Sequence, residues 1–107
     1  MKRTKTRRAF GAAIAQRDLA VTGSRAKVKV EIGKPFKGDR CFTCPIRISA
    51  GKKVVHRQIH GVDTFQALEL GLKMIGTLLR HADGLPVGRM YAYEQGDDMG
   101  FPEVLGL

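Results

Sequence analysis

Four residues in this chain stand at a spacing that could hold a metal ion. Cys41-x2-Cys44 is followed by eleven residues and then His56-x3-His60. Thiolate and imidazole are the donors zinc prefers, and the pattern nearly repeats a Cys2His2 finger, whose inner spacer is about twelve residues. The local pattern argues against a closed site. A finger carries its two histidines on a helix, where an i,i+4 spacing sets them about 6 Å apart on one face. Here both lie in a strand pattern, Lys53–His60, where four residues extend about 13 Å. The aromatic and leucine of a finger interior are also missing. The expectation is no metal and no cofactor, with Cys41 and Cys44 as reduced thiols at the start of a strand.

Other catalytic chemistry is thinly supplied. There is no G-x-S-x-G elbow, and the thirteen glycines are dispersed, with none forming a phosphate loop or dinucleotide fingerprint. Asp97-Asp98 is the one adjacent pair of carboxylates, and it falls in a Gly-rich acidic segment expected to face solvent. The residues therefore predict a protein that is not an enzyme.

Charge says more. The chain carries a net +9, unevenly placed: residues 1–60 hold sixteen Lys or Arg against Asp18, Glu31 and Asp39, while residues 61–107 hold three against seven acids. Such a dipole steers anionic partners toward the basic half. Lys2, Arg3, Lys5, Arg7 and Arg8 crowd residues 1–8, a tail with nothing to bury and expected to be mobile, ahead of a single domain over 9–107. No apolar run approaches the roughly 20 residues of a membrane span, and the start lacks the apolar stretch of a signal peptide. A cytoplasmic location is the expectation.

The elements that must position these charges follow from periodicity. Ile14–Val21 and Ala26–Ile32 read as strands around Thr22-Gly23-Ser24-Arg25, and Val28, Val30 and Ile32 alternate strictly with Lys27, Lys29 and Glu31. Gly33–Arg40, with Pro35 and Gly38, reads as a loop. Cys41–Ser49 and Lys53–His60 form a second hairpin, whose last strand has an ambiguous register because Arg57 falls between Val55 and Ile59. Asp63 is a good N-cap and Gln66 completes a capping box, with Val62 placed for a hydrophobic staple. The helix over 63–80 is expected to pack Phe65, Leu68, Leu72, Ile75 and Leu79 on the sheet, with Gly71 making room for it. Arg89–Glu94 is a possible last strand. The fold class is α+β: an antiparallel sheet of four to five strands with one amphipathic helix across one face.

Gly61-Val62-Asp63 with Gln66-Ala67-Leu68, Cys44-Pro45-Ile46-Arg47-Ile48, and Asp97-Asp98-Met-Gly-Phe-Pro together resemble a small bacterial family of uncharacterised domains, from about Ile14 to Pro102. The resemblance implies no activity, since that family is a domain of unknown function. Cys41, His56 and the basic tail fall outside its pattern, which weighs further against zinc.

A scaffold of this kind with this charge reads as a small basic binding module. The expected contacts are the five cations of the tail together with Lys27, Lys29, Arg47, Lys52, Lys53 and Arg57. Nucleic acid is favoured as the anionic partner over an acidic protein surface. Phe10, Phe36 and Phe42 do not interleave with the charges as a base-stacking sheet requires. The alternative is a protein–protein module, an inhibitor or immunity-type factor, using apolar surface residues such as Tyr91 or Phe101.

Overall fold

The structure is a computed structural model and describes residues 11–93 and 99–101. The tail cations Lys2, Arg3, Lys5, Arg7 and Arg8, and the Asp97-Asp98 pair, lie outside the described residues. Antiparallel strands β1 (Ala13–Val21) and β2 (Lys27–Gly33) form the first hairpin, and β4 (Phe42–Ala50) and β5 (Lys53–Gly61) the second. Helix α1 (Thr64–His81) follows, and β6 (Met90–Tyr91) returns to pair with the end of β1. The expected α+β architecture, one helix on one antiparallel sheet, is the observed one.

The stretch 33–40, expected as a loop, contains β3 (Phe36–Lys37). It pairs Phe36 with Thr43 and Lys37 with Phe42, on the side of β4 that β2 occupies further up, because β5 takes the other side of the same residues. β2 and β3 are thus two halves of one strand with an extra residue between them. Pro35, which has no N–H to donate, sits at the break. The sheet is therefore five strands wide, in the order β5, β4, β2 with β3, β1, β6.

The β4–β5 turn is Gly51-Lys52, with φ of 62° at Gly51 and no positive φ at a non-glycine residue among those described. Positive φ at the first turn position alone is the type II′ geometry, whose twist suits a hairpin. This turn fixes the ambiguous register. Val55 pairs with Ile48, Arg57 with Ile46 and Ile59 with Cys44, so all three face the helix. Arg57 is tolerated there because β5 is an edge strand: its side chain turns outward, and its Nη1 donates to the His56 carbonyl at 2.7 Å.

One sheet face forms the core with α1: Leu19, Val28, Val30, Ile32, Cys44, Ile46, Ile48 and Val55 are buried against Ala67, Ile75 and Leu79. The helix starts as expected, with Gln66 N–H donating to Asp63 Oδ1 at 2.7 Å, while the Gln66 side chain reaches back one residue further to accept from Val62 N–H. Two expectations fail at this end. Phe65 is 83% exposed and Val62 76%, so neither the sheet contact nor the staple forms. The closest approach of helix to sheet runs instead along Ala67, Gly71, Ile75 and Leu79. A Cβ at Gly71 would stand 3.1 Å from Cys44 Sγ and 3.3 Å from Ile32 Cδ1. Gly71 makes room for the sheet as expected; of the expected row Ile75 and Leu79 are buried and Leu68 and Leu72 pack partly buried against the core, so only Phe65 falls outside the contact.

Candidate functional site

The second sheet face has no helix on it. It carries Asp18 on β1, Lys27, Lys29 and Glu31 on β2, Arg47 and Ser49 on β4, and Val54, His56, Gln58 and His60 on β5. Lys27 and Lys29 are exposed as expected. Arg47 is committed elsewhere: its Nε donates to Glu31 Oε1 at 2.8 Å, across the rung that pairs the two residues. That hydrogen bond, more than the nearby charges of Arg47 and Lys29, holds the Glu31 carboxyl below its ordinary range. Partial burial, with Arg47 adding like charge, lowers the neighbouring His56. The face as a whole is mixed rather than strongly basic.

The cysteine and histidine candidates are split between the two faces. Cys44 points into the core, fully buried, where its thiol donates to the Gly33 carbonyl at 3.7 Å and burial pushes its pKa up to about 11. Cys41 and His60 meet on the open face, with Sγ to Nδ1 at 3.6 Å, and Thr43 Oγ1 shares that ring nitrogen at 3.0 Å. His56 stands beside Arg47 instead. Among the described residues no group of three His, Cys, Asp or Glu side chains could hold a metal ion.

Lys53 and Arg57 fall on the helix side, at the edge of the sheet. They line a groove of about 360 Å³ between β5 and the end of α1, with Val55, Thr77, His81 and Asp83. The stem of Lys53 lies over Gly84, where a Cβ would meet its Cε at 3.0 Å. The six described candidates therefore do not form one patch on one face.

What groups the cations is the end of the sheet. Val28 at the start of β2 pairs with Ala50 at the finish of β4, so the β1–β2 turn and the β4–β5 turn lie side by side. β6 starts at the same end: Thr22 N–H donates to the Arg89 carbonyl at 2.8 Å, and Arg89 Nη2 donates back to the Thr22 carbonyl at 3.1 Å. Arg25, Lys27, Lys52, Lys53 and Arg89 are gathered there, all exposed, with Asp83 beside Lys53. Five strands at about 4.8 Å spacing make this row roughly 19 Å long. Arg25 and Arg89 were not among the expected contacts. The two consecutive hairpins were enough to place Arg25; Arg89 required the β1–β6 pairing.

Among the described residues no helix is long and apolar enough to cross a membrane. Neither a curated protein nor a solved structure matches the chain. A family model does match, over residues 15–103, from the third residue of β1 through the second hairpin, the helix and the Met99–Phe101 segment; the chain belongs to the family described as Domain of unknown function (DUF6968).

Proposed function

We propose that the protein is a non-enzymatic binding module that holds the phosphate backbone of nucleic acid against the basic end of its sheet. The observation that carries this reading is the convergence of Arg25, Lys27, Lys52, Lys53 and Arg89 at the two hairpin turns and the start of β6. A row of about 19 Å matches five or six phosphates of one strand at about 3.4 Å along the helix axis. Contacts to phosphate position a protein without reading sequence, and few aromatic rings are near these cations to stack on bases. The expected specificity is for charge and backbone, with the tail cations adding contacts. The proposal includes a cytoplasmic location in a bacterium, where free Cys41 and Cys44 stay reduced.

The second reading, a protein–protein module of the inhibitor or immunity type, rests on a separate observation. Val62 and Phe65 stand exposed at the start of α1, at the opposite end of the molecule from the basic row. Affinity purification from the native host with and without nuclease separates the two. Recovery of nucleic acid, with co-purifying proteins lost after nuclease, supports the first. One protein retained in stoichiometric amount after nuclease supports the second and removes the first.

A further inference from the structure

We propose that a cavity between α1 and β1 is a binding site for a small monocarboxylate with an apolar tail. The helix lies over β4 and β5 and does not reach the first half of β1, so Ala15 and Arg17 are left open on the core side while Leu19 and Val21 further along are buried. The segment Met99–Phe101 crosses that gap, pinned by two arginines: Arg17 Nη1 donates to the carbonyls of Gly100 at 2.9 Å and Met99 at 3.3 Å, and Arg80 Nη2 donates to that of Phe101 at 3.3 Å. Beneath the strap lies a cavity of about 280 Å³, near the lower limit of small-ligand pockets. Val30, Ile32, Leu72, Ile75 and Phe101 form its apolar lining, and it opens at the exposed Ala15 and Gln16.

Arg17 is the charged group in this lining, and it is unusually fixed. Its guanidinium lies 4.9 Å from the Phe101 ring centroid and 5.7 Å from that of Tyr93. Nη1 is spent on the strap, and among the described residues Nε and Nη2 have no partner and no carboxylate pairs with the charge. A pinned guanidinium with free donors suits a carboxylate, and the apolar chamber beside it suits a hydrocarbon tail. A phosphate would find the cation but not the chamber. A neutral hydrocarbon would find the chamber but leave the cation unanswered.

The test is amide chemical-shift titration of the full chain with hexanoate, heptanoate and octanoate, and with octanamide as the uncharged control. Saturable shifts are expected at Ala15, Val30, Leu72 and Phe101, tightening by about fourfold per added methylene while the tail stays inside the cavity. Octanamide should bind at least about tenfold more weakly, since it forfeits a charge-assisted pair. Ala15→Leu, which adds bulk to the lining and leaves the Arg17 side chain itself unchanged, should abolish the shifts, and Arg17→Gln should erase the preference for octanoate over octanamide. No saturable shift at millimolar octanoate would overturn the site. Equal binding of octanoate and octanamide, or full binding in Ala15→Leu, would overturn it as well.

Discussion

Replacing Arg47 by Met removes its charge while keeping most of its stem, and it should weaken the fold without weakening the binding proposed for the basic end. The Nε–Oε1 distance of 2.8 Å gives a gross attraction of about 6 kcal/mol at an effective dielectric of about 20. Most of that is offset by desolvation, because the Glu31 side chain is only 10% exposed. Arg47 keeps 33% exposure, which places the pair between an exposed one, worth under about 1 kcal/mol, and a fully buried one, whose breakage costs about 3–5 kcal/mol. The expected loss is about 2 kcal/mol at pH 7, or a fall in Tm of roughly 10 °C for a domain of this size. The pH dependence has a definite sign. Glu31 titrates below its ordinary range in the folded protein, so its contribution is present above that range and disappears as pH falls through its folded pKa. The deficit of Arg47→Met should therefore shrink in acid, and Glu31→Gln combined with it should cost less than the two changes summed. Calorimetric melts at neutral and acidic pH measure this, and a binding titration against salt measures the other half. An unchanged Tm at pH 7 would refute the stabilising role. A salt slope shallower by one full contact would show that Arg47 touches phosphate after all.

The remaining outcomes are shorter to state. Gly61→Ala should destabilise by about 3 kcal/mol or more in urea melts, because a Cβ there collides with the Ala67 N and stands 2.8 Å from its Cα and 2.9 Å from the Gln66 carbonyl carbon, all backbone atoms; an unchanged midpoint would mean the β5–α1 junction is looser than it looks. Phe65→Ser should move stability by less than about 0.5 kcal/mol, while Leu79→Ala, fully buried, should cost about 2–5 kcal/mol; a costly Phe65→Ser would return the first turn of the helix to the sheet, and a cheap Leu79→Ala would contradict the burial of Leu79. In a thiol titration of the native protein Cys41 should react promptly and Cys44, fully buried with its pKa raised to about 11, only on unfolding; two equally fast thiols would contradict its burial.

The alternation of Val28, Val30 and Ile32 with lysines, and the Asp63–Gln66 start signal, made the sheet and helix legible because each is local. The helix face was less so. Periodicity weights large residues: Gly71 was legible as clearance for the sheet and Ile75 and Leu79 as contacts, whereas Ala67 marks the contact by being small, and Phe65, large but on the first turn, is exposed. β3 was missed because Gly33, Pro35 and Gly38 together look like a loop, and a bulged continuation of β2 uses the same residues. The cations themselves were plain in the chain. Their grouping was not, since Lys27 and Lys52 become neighbours only through the Val28–Ala50 pairing, and Arg47 is withdrawn only by its register with Glu31.

Binding of the whole chain to a short mixed-sequence duplex, titrated between roughly 50 and 200 mM salt, tests the basic end. Five phosphate contacts imply a slope of about −4.5 in log affinity against log salt, or roughly a 500-fold loss over that interval. Changing Arg25, Lys27, Lys52, Lys53 and Arg89 together to Gln should remove that slope and leave only whatever the tail supplies. Affinity that is flat with salt, or a slope untouched by the five substitutions, would contradict the assignment of nucleic-acid binding to this end of the sheet.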